Sequence, residues 1–197
     1  MSTDTAIFNP ALASQPSLVK RIAIIIGFSI SGIIALFVTW VFLTSMIWNG
    51  LEAGQPAPNF SSRDLNGNLI SLDAYAGRPV MLTFWSPYCS ACLEELPAIQ
   101  AIANAPNAEV ILVTVVSKLP AAEVQQFMED RELTFPVIVD EPGRIATDYE
   151  IAGVPVSYFI NPDGTIDHSN IGAGSEGALE NNLFAWLSTC NLNEVCK

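Results

Sequence analysis

Hydrophobic and polar positions along this chain form one long apolar run followed by several short ones. From Ile22 to Trp48 there are 27 consecutive residues without a charge. As a helix that run would be about 40 Å long against roughly 30 Å of bilayer hydrocarbon, so it predicts a tilted membrane span. Later apolar runs are short and bounded by turn-forming residues: Val80–Trp85, Val110–Val116, Phe135–Val139 and Val156–Ile160. Runs of that length predict buried strands. Between and after them, Ser90–Asn104, Pro120–Arg131, Arg144–Glu150 and Glu176–Leu187 read as helices. The second carries Val124, Phe127 and Met128 on one face.

Turn signals complete the pattern. Asn66-Gly67 between Phe60–Asp64 and Leu69–Leu72 predicts a hairpin with positive φ at both turn residues. Asp73–Gly77 reads as one capped turn, and Asn161–Gly164 as a turn into a return strand, Thr165–His168. Strands alternating with helices, then a terminal hairpin, predict an α/β fold with a mixed sheet covered on both faces.

Charge gives the long run a direction. Lys20 and Arg21 precede it, and no basic residue follows until Arg63. The positive-inside rule then places the N-terminus in the cytoplasm and the rest outside. A cleaved signal peptide has an apolar region of about 7–15 residues, half of what is present. The expected division is a cytoplasmic tail 1–21, a membrane helix 22–48, a Gly/Pro linker 49–58, a folded domain 59–189 and a C-terminal tail 190–197. From Leu51 onward six Lys/Arg face nineteen Asp/Glu, which argues against nucleic acid as a partner.

The chemistry concentrates in Trp85-Ser86-Pro87-Tyr88-Cys89-Ser90-Ala91-Cys92. Two cysteines three positions apart at a helix start lie within one turn and can close a small disulfide ring. Unpaired N–H groups and the helix dipole at that point favour a thiolate on Cys89, and the thiolate is the attacking species in disulfide exchange. In open α/β sheets ligand chemistry collects beyond the carboxyl ends of the strands, where Cys89 falls.

The chain resembles the thioredoxin superfamily, and within it the membrane-anchored TlpA/ResA-like thiol–disulfide oxidoreductases. The resemblance runs from about Gln55 to Leu187. It rests on Ala57-Pro58-Asn59-Phe60, Phe84-Trp85, Cys89-Ser90-Ala91-Cys92, Pro97, Leu133–Val137, Gly153-Val154-Pro155 and Phe159–Gly164. It implies a thioredoxin-like fold with an N-terminal hairpin and a central helix–strand insertion, Pro120–Val139. It also implies a cis Val154–Pro155 bond beside the cysteines, exposing the Val154 backbone for pairing with a substrate peptide. Tyr88 reads equally as part of the substrate surface or as packing. Cys89 is then expected to form the mixed disulfide and Cys92 to resolve it. Glu95, on the same helical face three residues after Cys92, is the candidate base. Glu94 reads as a carboxylate complementing the helix start. The buried acid of cytoplasmic thioredoxins would fall at Thr83 and is absent.

No cofactor is implied, and no metal. The implied partners are client proteins with disulfides or thiols, a membrane thiol-electron transporter as donor, and the bilayer through 22–48. The protein is expected at the cell (inner) membrane, with its catalytic domain periplasmic or otherwise extracytoplasmic. A reductant serving cytochrome c maturation, metal-site assembly or disulfide correction is the leading reading. The alternatives are a disulfide oxidase and a copper metallochaperone on the same fold, which would want a CxxxC and a well-placed histidine, whereas His168 has no assigned role. A peroxidase pattern would want a threonine near Ser86. Cys190 and Cys196 read first as a structural disulfide pinning the C-terminus. A second redox pair, and free or intermolecular thiols, stay open.

Overall fold

The computed structural model describes residues 32–41, 50–105, 110–172, 174 and 178–192, with side chains in the last helix described as far as 188. The chain divides into two units, Met1–Trp48 and Asn49–Lys197. Of the first unit only a helix at 32–41, α1, is described, and its large apolar side chains are exposed. Among the described residues no helix is long and apolar enough to cross a membrane. Most of the predicted span 22–48, the tail 1–21, and the side chains of Cys190 and Cys196 lie outside the described residues.

The second unit is a mixed five-stranded sheet between two helical layers. In chain order it comprises the hairpin strands β1 (Ser61–Arg63) and β2 (Leu69–Ser71), then β3 (Val80–Trp85), α2 (Ser90–Ala103) and β4 (Ile111–Ser117). It continues with α3 (Ala121–Asp130), β5 (Val137–Asp140), α4 (Arg144–Asp148), β6 (Val156–Ile160), β7 (Ile166–Ile171) and α5 (Ala178–Leu192). The sheet order is β5-β4-β3-β6-β7. β3 runs parallel to β4, which runs parallel to β5, while β6 is antiparallel to both β3 and β7. Thr83 in central β3 sits opposite Thr114 on one side and Ser157 on the other.

Period-two alternation along β3 sorts the interior into two cores. Val80, Leu82 and Phe84 face a layer with Phe60, Ile70, Tyr149 and Tyr158. Met81 and Trp85 face the opposite layer, with Cys92, Leu96, Ile99, Val124, Met128 and Trp186. β3 and β6 are buried along their whole length and occupy the bounds their apolar runs predict.

Two local expectations are corrected. The β1–β2 hairpin does not close through a two-residue turn. Its last register pair is Arg63↔Leu69, and of the Asn-Gly pair only Gly67 has positive φ (83°). The Asp64 carboxylate accepts the N–H groups of Asn66 and Asn68 at 2.9 and 2.8 Å, and the Asn68 side-chain amide at 3.0 Å. An acceptor at the loop base makes a wider loop stable where sequence alone suggested a tight one. The second correction concerns the expected linker, which is docked rather than free. Gly54 N–H donates to Ile166 O at 2.7 Å, Ile166 N–H to Gln55 O at 2.8 Å, and Ala57 N–H to Gly164 O at 2.9 Å. The Leu51 N–H donates to the Tyr158 hydroxyl at 3.1 Å, and the Tyr149 hydroxyl donates to Pro58 O at 2.8 Å. Residues 50–58 thus form a strap across one face of the domain.

Candidate active site at the carboxyl end of β3

After Trp85 the chain turns on Ser86. The Ser86 carbonyl accepts the Cys89 N–H at 3.2 Å and its hydroxyl accepts the Tyr88 N–H at 3.3 Å. Cys89 is the N-cap of α2, extended at φ −101° and ψ 108°, and its carbonyl accepts the first helical bond, from Leu93 N–H at 3.1 Å. Its Sγ accepts the N–H of Cys92 at 3.1 Å. That is the position where a serine or aspartate oxygen commonly caps a helix, so negative charge on this sulfur meets a backbone donor and the positive helix end. Cys89 and Cys92 form a disulfide with their Cα atoms 5.2 Å apart. The two sulfurs differ in access: Cys92 is fully buried, while Cys89 is only partly so.

The Val154–Pro155 bond is cis, and the Val154 carbonyl oxygen lies 3.4 Å from Cys89 Sγ. In the disulfide the sulfur has no proton to share with that oxygen; a reduced Cys89 thiol would have one. Val154 is half-buried and Pro155 buried at the start of β6. The central strand β3 and its antiparallel neighbour β6 therefore deliver the cysteines and the proline to one place.

The chain matches the AhpC/TSA family over residues 53–169, more than half its length. It belongs to that family. The thioredoxin-like protein YneN of Bacillus subtilis is 31% identical over 68% of this chain and 80% of its own length. A thiol–disulfide oxidoreductase ResA, from Oceanobacillus iheyensis, is 33% identical over 67% and 71% of the two chains. The crystal structure of the exposed lipoprotein thioredoxin Etrx1 of Streptococcus pneumoniae superposes with a TM-score of 0.59. It is 26% identical and covers 65% of this chain and 99% of that one. The protein is accordingly a thiol–disulfide oxidoreductase on a thioredoxin-like fold, of the ResA-like group.

The other predicted residues of this oxidoreductase are placed as follows. Glu95 is half-buried on α2. Burial pushes its carboxyl pKa up, and a backbone N–H at Gly174, before α5, acts in the opposite sense. Glu94 is exposed. Thr83, at the position of the missing acid, is fully buried, and its hydroxyl bonds that of Ser157 at 3.0 Å. Trp85 is core, packed against Phe127 and Phe135. His168 stacks on Phe159 with ring centroids 4.2 Å apart, and its Nδ1 pairs with Asp167 at 2.7 Å. Among the described residues no three His, Cys, Asp or Glu side chains converge as a metal site would need.

Tyr88 is 75% exposed, so its ring is not core packing. Its hydroxyl donates to the carboxylate of Glu123, in the first turn of α3. The hydrogen bond and the nearby negative charge raise the phenol's pKa. Sequence reading did not single out Glu123. The only local trace is its position just after the carboxyl end of β4, on the rim where α/β chemistry collects.

Proposed function

We propose that this oxidoreductase is anchored by 22–48 and reduces disulfides of client proteins outside the cytoplasm, with Cys89 as the attacking sulfur. The observation that carries the reading is the asymmetry of the pair. Cys89 is the more accessible sulfur and is capped by the Cys92 N–H, whereas Cys92 is fully buried. In the reduced protein the Cys89 thiolate attacks one sulfur of a client disulfide, forming a mixed disulfide and expelling the other client sulfur as thiolate. Glu95 then takes the proton of Cys92. The Cys92 thiolate attacks Cys89 Sγ, the second client thiolate leaves, and two electrons have passed from enzyme to client. The enzyme's own disulfide must next be reduced by a dithiol donor, for which a membrane thiol transporter fits the compartment. Burial gives Glu95 a carboxyl that holds a proton more readily than an exposed one, as a base serving a thiol requires.

Membrane anchoring rests on the charge-free run with its basic N-terminal flank, and on the apolar exposed side chains of α1. Cytochrome c precursors, metal-site assembly proteins and wrongly paired disulfides are the client classes for such a reductant. The deciding experiment expresses the full-length Cys92→Ser chain in cells and traps thiols with acid. Client adducts joined to Cys89 and released by reductant are expected. Adducts that form instead with Cys89→Ser, or none with either variant, would reject the assignment.

A further inference from the structure

We propose that Glu123 is a positioning residue that fixes the Tyr88 ring as part of the docking rim for protein clients. The inference rests on the reading of Cys89 as the sulfur that meets the client. Tyr88 adjoins that sulfur in sequence and is exposed, yet its hydroxyl is tied to a carboxylate 35 positions away. Both ends of the tie are held. On one side Ser86 bonds the Tyr88 and Cys89 N–H groups, which sets the backbone under the ring. On the other, α3 is seated by buried Val124 and Met128, and its Phe127 packs on Trp85 with centroids 5.7 Å apart. The carboxylate lies in the first turn of α3, where the helix end favours its charge, and a charge-assisted hydrogen bond is among the stronger kinds.

An exposed tyrosine without that partner would sample several rotamers, and docking a client chain would have to freeze it. Immobilising one such side chain changes binding by about three- to tenfold. A small dithiol reaches Cys89 Sγ without needing the ring. The pair therefore acts on recognition of protein substrates and leaves the exchange chemistry alone.

The test uses the full-length chain in detergent, with insulin as the protein disulfide and dithiothreitol as both recycling dithiol and small-molecule probe. Glu123→Ala is expected to raise KM for insulin by about three- to tenfold at unchanged kcat, with the dithiothreitol exchange rate unchanged. Glu123→Gln, which keeps an acceptor oxygen, is expected to recover most of that loss. Tyr88→Phe is expected to raise KM similarly, and the double variant to be no worse than either single one. An unchanged KM in Glu123→Ala, additive effects in the double variant, or a parallel fall in dithiothreitol exchange would each overturn the proposal. A wild-type chain that exchanges with dithiothreitol but not with insulin would overturn the underlying reading as well.

Discussion

The two faces of the sheet use their buried polar groups in opposite ways. On the face of Phe84, the hydroxyls of Tyr149 and Tyr158 tie the chain to itself: Tyr149 to Pro58 O, and Tyr158 to Tyr149 O at 2.9 Å while accepting from Leu51. Their rings sit 5.3 Å apart, and Phe84 packs on both. Burial raises the pKa of both phenols, that of Tyr149 far above its usual value. On the face of Trp85, the groups near the surface can change state: a cysteine pair, a half-buried carboxyl, a tyrosine held by a distant glutamate. One face fixes the fold and the other keeps groups that can gain or lose protons and electrons. Substitutions of the two tyrosines should act on stability, and substitutions of these near-surface groups on rate.

The largest expected effect is on the reactive face. Glu95→Gln should slow resolution of the mixed disulfide by about a hundredfold at neutral pH, the low end of what a positioned base contributes. The pH–rate profile measured by stopped-flow should lose the inflection that Glu95 sets above the ordinary carboxyl range. The same substitution should act on stability with the opposite sign. Because burial raises the folded-state pKa, the stability Glu95 contributes is present below its unfolded value and is lost as pH rises through the folded one. Glu95→Gln should therefore unfold at higher denaturant than wild type at pH 7, and the gain should vanish in acid. A variant both slower and less stable at pH 7 would break the division between the two faces.

On the other face the strap offers the converse test. A Cβ at Gly50 would overlap the Tyr158 hydroxyl, so the backbone reaches that tyrosine only because the residue has no side chain. Gly50→Val should displace the Leu51 N–H and leave a buried hydroxyl short of a partner, costing about 1–3 kcal/mol. Denaturant unfolding should register that loss while dithiothreitol exchange at Cys89 stays at the wild-type rate. Tyr149→Phe, which orphans only Pro58 O, should cost about 1 kcal/mol in the same measurement.

How far the sequence reveals these faces depends on how local each signal is. β3 and β6 were legible to the residue because a fully buried strand is a short apolar run closed by turns, with nothing distant involved. The pairing of Cys89 with Cys92 was legible for a similar reason, the two lying within one helical turn. The cis bond before Pro155 came instead from the family resemblance and not from its position. The strap was not legible. Its partners Tyr149 and Tyr158 lie 91 and 107 positions from the residues they bind, and a Gly/Pro-rich segment looks alike whether docked or loose. Glu123 escaped for the same cause, since a glutamate in a helix's first turn has an ordinary capping role until the fold sets Tyr88 beside it. The hairpin loop went wrong on a subtler point. Asn-Gly marked the turn, but the Asp64 carboxylate two residues earlier decided its width.

The smallest net effect, that of a double variant, tests whether buried polarity on the reactive face is needed for folding at all. Thr83 and Ser157 face each other across β3 and β6, 0% and 2% exposed, with their hydroxyls 3.0 Å apart. Removing one partner leaves the other desolvated and unpaired, which costs about 1–3 kcal/mol, whereas replacing both by apolar groups of similar shape is nearly neutral. Thr83→Val and Ser157→Ala should each destabilise the domain, and the double variant should return to within about 1 kcal/mol of wild type. Tyr149 and Tyr158 should not behave this way, because their hydroxyls bond backbone groups and not each other, and no substitution removes those groups. If the Thr83–Ser157 double variant instead loses as much as the two singles together, the hydroxyls hold the central strands in register. The two faces would then differ in chemistry alone and not in how they hold the fold.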